Sequence, residues 1–191
     1  MGKILLSVFL AVFFSAPAFA GLTLSIFGGE RYYLGNMHKP FNEQFTRGVR
    51  LDFGKNTWPV NIALDFYITN HNDLHYINNT LAELDTTLTE IRIGLRKYYG
   101  KGLRLLIGGG IENMEYVRKE SSVSGSPKCS ASTGYTLFKN GMWAEAGLDY
   151  AIGKFVVVGL KADYSNGYVS CGSRTVDLNA VNGGVYLGVS W

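Results

Sequence analysis

Hydrophobic and polar residues alternate one by one along most of the chain. The clearest stretch sets Ile62, Leu64, Phe66 and Ile68 against Asn61, Ala63, Asp65 and Tyr67. Successive side chains of a strand point to opposite faces, so period two predicts strands with one apolar and one polar face. Ile91, Ile93 and Leu95 alternate in this way with Glu90, Arg92, Gly94 and Arg96, and Leu103, Leu105, Ile107 and Ile111 with Arg104, Gly108, Gly110 and Glu112. Looser alternation covers residues 49–53, 142–150, 156–164 and 181–191. The N-terminal segment, 22–34, puts Leu22, Leu24 and Ile26 on one face before Gly28 and Gly29 blur the pattern, which predicts a bulge there. Eight strands result.

Long and short polar connections alternate between these strands. The long ones are 35–44, 70–82, 118–134 and 167–176; the short ones centre on Lys55-Asn56-Thr57, Gly100-Lys101-Gly102 and Gly153-Lys154. An up-and-down barrel would carry the long loops at one end and the tight turns at the other, the asymmetry of outer-membrane barrels. The predicted fold is therefore all-β, an eight-stranded antiparallel up-and-down transmembrane β-barrel with four long extracellular loops and short periplasmic turns.

Alternation alone leaves the apolar face free to point inward, as in a soluble lipocalin-like binder, or outward. Three features favour outward. Aromatics gather at strand ends, Phe53, Trp58, Tyr98, Tyr99, Phe155 and Trp191 near the short turns and Phe45, Tyr67, Tyr116, Tyr135, Tyr164 and Tyr168 near the long loops, as two interfacial belts would. The polar face carries both charge signs, with Arg50, Arg92, Arg96, Arg104 and Lys161 against Asp52, Asp65, Glu90, Glu112, Glu145, Asp149 and Asp163. An eight-stranded barrel has an interior that side chains just fill, where such charges can pair. Finally, the chain stops inside its last strand, where a lipocalin would be expected to run on into a helix.

That last strand, Gly-Val-Tyr-Leu-Gly-Val-Ser-Trp, resembles the C-terminal strand of outer-membrane barrel proteins. The resemblance implies that Tyr186, Leu187, Val189 and Trp191 form the signal read by the barrel-assembly machinery. Over its full length after the leader, the chain resembles the small OmpA/OmpX-type barrels. The resemblance is one of architecture, without a motif that singles out one subfamily.

The leader is residues 1–20. Lys3, the apolar run 4–14 and the small-residue site Ala18-Phe19-Ala20 read as a secretory signal peptide cleaved before Gly21. The apolar run is shorter than the ~20 residues a membrane helix needs. Residues 21–191 then form a single barrel domain. Losing Lys3 takes the formal charge from +3 to +2, with the basic residues scattered, so nucleic acid is not implied as a partner. The expected location is the outer membrane of a Gram-negative bacterium, with both termini in the periplasm and outer-membrane lipids and lipopolysaccharide around the barrel.

Cys129 and Cys171 fall in the third and fourth long loops, and an even number in an exported chain favours a disulfide. His38, His71 and His75 also fall in long loops. The spacing from His71 to His75 would suit a metal only on a helical turn, and no ligand set of known spacing accompanies it, so neither metal nor cofactor is implied. The stretch Asp163-Tyr164-Ser165-Asn166 is similar to the His-x-Ser-Asn element of PagL-type lipid A deacylases but has Asp163 at the histidine position. Ser165 thereby lacks a general base; Ser165 and Asn166 read as the start of a loop. The function implied is non-enzymatic: a rigid barrel presenting stapled loops to an unidentified extracellular ligand, for binding, adhesion or envelope integrity. The alternatives are a narrow pore, which the bulky interior residues oppose, a lipid A-modifying hydrolase, and a soluble binder.

Overall fold

The computed structural model describes residues 21–34, 43–54, 58–77, 80–121, 139–153, 155–171 and 174–191, with side chains described outside 72–85, 116–140 and 168–176. Eight strands close into an antiparallel barrel: β1 (Leu22–Tyr33), β2 (Glu43–Phe53), β3 (Asn61–Ile77), β4 (Thr80–Lys101), β5 (Leu103–Ser121), β6 (Lys139–Ile152), β7 (Val156–Asn166) and β10 (Ala180–Ser190). Two further strands, β8 (Tyr168–Cys171) and β9 (Arg174–Asp177), pair as a hairpin between β7 and β10. Barrel strands that follow one another along the chain are neighbours in space, with the β8–β9 hairpin standing between β7 and β10 in sequence, and the β1–β10 seam closes the ring. At that seam the Gly21 amide donates to the Trp191 carbonyl at 2.6 Å and the Trp191 amide to the Leu22 carbonyl at 2.9 Å.

The register fixes the dimensions. Stepping from partner to partner leads from Leu22 through Phe53, Ile62, Leu95, Gly109, Ala144, Tyr164 and Val181 back to β1 at Tyr32, ten residues on. With standard strand rise and spacing, that stagger tilts the strands by about 40° and lifts the path by about 25 Å per circuit. The lift matches the apolar band of an outer-membrane barrel. Every residue on this path is on the outer face.

Large apolar side chains are exposed along the whole band, among them Ile26, Ile62, Ile93, Ile107, Leu160 and Leu187. Their strand neighbours Ser25, Ala63, Arg92, Leu106, Lys161 and Tyr186 are buried. The apolar face therefore points outward, opposite to a lipocalin. Exposed aromatics edge the band, with Trp58, Tyr99, Tyr150 and Phe155 at the turn end and Tyr32, Phe45 and Tyr164 at the other. Two aromatics expected in these belts are inside instead. Tyr67 is buried edge-on against Phe27, and the Tyr98 hydroxyl donates to Asp52. Strand parity decides this, since Tyr67 alternates with Ile68 and Tyr98 with Tyr99.

The expected bulge at Gly28 and Gly29 is absent. Both keep continuous register, to Arg47 and Thr46 on β2 and to Val185 and Gly184 on β10. Gly29 is needed for space rather than for a kink, because a Cβ there would run into the backbone of Gly183 and the Phe27 ring. The connection expected over 70–82 is mostly strand, as β3 continues to Ile77 and β4 begins at Thr80, and β8 and β9 occupy much of 167–176. In the tight turn around Lys101, Gly100 and Gly102 have φ of 119° and 75°, which L side chains rarely adopt.

Gly94 and Gly183 should respond differently to the same substitution. A Cβ on inward-facing Gly94 would lie 2.7 Å from the Trp143 ring, whereas one on outward-facing Gly183 meets nothing within 4 Å. Urea unfolding of the barrel in detergent should show Gly94→Val destabilised by about 1–3 kcal/mol. Gly183→Val should leave the midpoint in place.

Candidate functional site

Each barrel strand sends alternate side chains into the lumen, and these carry most of its charges. Arg92 is at the centre. Its guanidinium lies 2.9 Å from Glu112, 2.7 Å from Asp163 and 3.5 Å from Glu90, against the Tyr67 ring. Arg31 reaches across the lumen from β1 to Glu90 on β4 at 2.6 Å and donates to Ser165 Oγ at 3.0 Å. Nearer the turn end, Arg96 contacts Asp52 at 2.8 Å and also pairs with Asp65 and Glu145. Lys161 joins the two groups, 2.8 Å from Asp163, 3.1 Å from Glu145 and 2.9 Å from the Tyr67 hydroxyl. Arg50 lies 3.5 Å from Glu145 and 4.2 Å from the Tyr186 ring centre. Arg104 forks onto both oxygens of Asp149 at 2.7 and 2.8 Å, and the Tyr186 hydroxyl donates to the same carboxylate.

Two clusters of buried apolar and aromatic side chains pack against this network. Tyr33, Leu88, Met114, Leu178 and Ala180 cluster toward the long connections. Phe27, Tyr67, Leu106, Val157 and Tyr186, with Tyr98, form a second cluster interleaved with the charges, Tyr67 against Arg92 and Lys161 and Tyr186 against Arg50. Beneath them a cavity of about 760 Å³ is lined at the turn end by Arg96, Tyr98, Arg104, Trp58 and Trp191. A hydrated passage would leave its lining polar groups accessible. Arg31, Glu90, Arg92 and Arg96 are each 0 % exposed. The described side chains therefore act as a plug, with cations set against carboxylates.

The sequence identified twelve of these charged residues and missed Arg31. The supposed bulge hid it: without one, the parity of Leu22, Leu24 and Ile26 puts Arg31 inside. It also missed the aromatic partners Tyr67, Tyr98 and Trp143, whose positions follow from the same parity. Ser165 is not in a loop; it is buried in β7 and bonded to Arg31, while Asp163 is engaged by Arg92, Lys161 and Asn182.

Among the described residues the wall is uneven at the far end. β2 last pairs with β3 at Asn70, and β6 with β5 at Met114, yet β3 and β4 stay paired to Ile77 and Thr80 and β4 and β5 to Glu83 and Ser121. Seven residues of β3 thus project past the rim with their partners, about 20 Å along the strand. His71 and His75 lie in β3, where four residues span about 13 Å, so the helical spacing that could bring both imidazoles to one ion is not present. Cys129, His38 and the side chains of Cys171 and His75 lie outside the described residues, as do Tyr135 and the leader 1–20.

Breaking the network from within should cost more than altering the exterior. Arg92→Leu takes one partner from Glu90 and Asp163 and leaves Glu112 with no cation among the described residues, and should destabilise the barrel by about 3–5 kcal/mol in urea unfolding. Ile93→Leu, on the lipid-facing side of the same strand, should be nearly silent. An unchanged midpoint for Arg92→Leu would mean that water reaches these carboxylates.

No protein-family model matches the sequence, and no curated protein matches it significantly. Solved structures do. Neisserial surface protein A (NspA) superposes with a TM-score of 0.59 at 11 % identity, covering 89 % of this chain and 96 % of that one. Ail, the attachment invasion locus protein of Yersinia pestis, gives 0.57 at 13 % identity, covering 89 % of this chain and 98 % of that one. Ail in complex with the heparin analogue sucrose octasulfate gives 0.54 over the same shares. At such identities the likeness concerns the fold, and the fold is that of the small eight-stranded outer-membrane barrels.

Proposed function

We propose that the chain is a non-enzymatic surface protein of a Gram-negative outer membrane, whose plugged barrel anchors a projecting binding end for adhesion or envelope integrity. The carrying observation is the pairing of a filled lumen with a wall that, among the described residues, continues past the last β2–β3 and β5–β6 pairs on β3–β5. A pore would need the lumen, and its described residues are packed. A PagL-type hydrolase would need a free serine with a base, and Ser165 is occupied by Arg31. Ail, an attachment protein of the same fold, supports adhesion as the class of task.

In this reading residues 1–20 are removed on export and both termini lie in the periplasm. Tyr186, Leu187, Val189 and Trp191 present the assembly signal, and Cys129 and Cys171 staple the third and fourth long connections. Lipid and lipopolysaccharide surround the apolar band, and the extracellular ligand meets the loop end.

Cells displaying the chain should be cut by an impermeant protease within 118–134 and not at the turns near Lys55, Lys101 or Lys154. Replacing 122–133 by a Gly-Ser linker should keep the folded barrel while reducing adherence of those cells to host-cell monolayers. Discrete conductance steps from the purified protein in planar bilayers, with adherence unchanged, would replace this reading by the pore. Non-reducing peptide mapping of the exported protein should recover Cys129 joined to Cys171; full labelling of both thiols without reduction would remove the staple.

A further inference from the structure

Among the described residues, three charged side chains face outward between the aromatic edges: Glu30, Arg47 and Lys97. Lys97 is at the turn end, 5.8 Å from the Tyr99 ring centre. Glu30 and Arg47 are together at the other end, on β1 and β2. Arg47 pairs with Gly28 and Glu30 with Phe45, so the two charges are diagonal neighbours. Each is two residues inside an exposed aromatic, Tyr32 or Phe45, and hence about 5 Å nearer the bilayer centre.

Their surroundings differ. The Tyr32 hydroxyl donates to Glu30 Oε2 at 2.7 Å, whereas the Arg47 guanidinium has no hydrogen bond or ion pair among the described residues. Beside them the outer surface is bare. A Cβ on Gly183, the β10 partner of Glu30, would meet nothing within 4 Å, and one on Gly28 only the Phe45 ring edge at 3.9 Å. Ala162 extends this low shelf onto β7.

A guanidinium keeps its charge, so one placed at the edge of the lipid band is stabilised by an anion that reaches its open N–H donors. Phosphate matches it, since two parallel N–H donors meet two oxygens. The adjacent carboxylate would repel a bare phosphate but accepts hydroxyl protons, which a sugar beside the phosphate would supply. The side-chain-free shelf leaves room for the sugar and the first methylenes of its acyl chains.

We propose that this β10–β1–β2 face binds a phosphorylated glycolipid of the outer leaflet, with phosphate on Arg47, sugar hydroxyls on Glu30 and the lipid body over Gly28 and Gly183. The proposal rests on the outer-membrane reading above.

The test uses the mature chain folded in detergent micelles, with bound lipid counted by native mass spectrometry. The probes are a bisphosphorylated acylated diglucosamine, its phosphate-free counterpart and phosphatidylglycerol. The bisphosphorylated glycolipid should bind tightest, and Arg47→Gln or removal of its phosphates should weaken it by about tenfold. Glu30→Gln should weaken the glycolipid and not phosphatidylglycerol. Gly183→Leu should block the shelf, and Lys97→Gln should change nothing. Equal binding by wild type and Arg47→Gln overturns the site. Equal binding of phosphatidylglycerol with a silent Glu30→Gln overturns the glycolipid. A two-chain species lost in Arg47→Gln makes the face an interface between copies and overturns both. All variants are first checked for insertion into phosphatidylcholine vesicles; failure of the wild type there would instead sink the membrane reading.

Discussion

Hydrocarbon offers no partner to a peptide N–H or C=O, so a sheet that crosses it can leave no edge unpaired. The β1–β10 seam, running from Thr23 and Ser190 to Tyr33 and Ala180, meets that demand. Closing eight strands with a ten-residue stagger then sets both tilt and radius, about 8 Å to the backbone. A lumen of that width has room for side chains and little else. Glycine stands where strands and large groups crowd, as at Gly94 beside Trp143, and arginine and tyrosine fill what remains.

Lipid outside does not require charge inside. An apolar lumen would also be dry, and replacing a buried ion pair by apolar residues is often neutral or stabilising. The charges do something else. A one-residue slip of any strand would exchange its two faces. For β4 that would send Glu90, Arg92 and Arg96 into lipid, where a basic residue near the midplane costs about 2–4 kcal/mol. It would also bring Ile91, Ile93 and Leu95 against the carboxylates of β3 and β5. The network thus specifies register, and its six cations and seven carboxylates come close enough to balance to do so without a large net charge in the lumen.

Most of the barrel was legible because period two is a direct image of its two environments. Ile93 meets lipid and Arg92 meets carboxylate, and the alternation records both. Legibility failed where local signals competed with parity. Gly28-Gly29 reads as a bulge because glycine marks bulges in many strands, but Gly29 marks the close approach of β10, which no local pattern reveals. Tyr67 and Tyr98 looked interfacial because they lie near strand ends, while their parity put them inside. The 70–82 segment looked like a loop because its polarity is that of a strand in water on both sides. Glu30 follows the blurred Gly28-Gly29 and Arg47 lies just before the alternation over 49–53, and only the register shows them as neighbours.

Strand length carries the last consequence. β2, β7 and β10 have 11 residues each, close to what a tilted strand needs to cross a bilayer. β3, β4 and β5 have 17, 22 and 19. Past the rim, water can satisfy backbone groups, so nothing in the lipid argument keeps those residues paired. A two-stranded extension there would be marginal, whereas three strands are about the smallest sheet that can hold together in water. This one also inherits its order from below. The lumen cluster of Tyr33, Leu88 and Met114 packs at its root, and Thr86 bonds to the His71 carbonyl where β3 leaves the barrel. A ligand meeting this sheet would meet a surface whose ordering cost is already met by the closed wall beneath it.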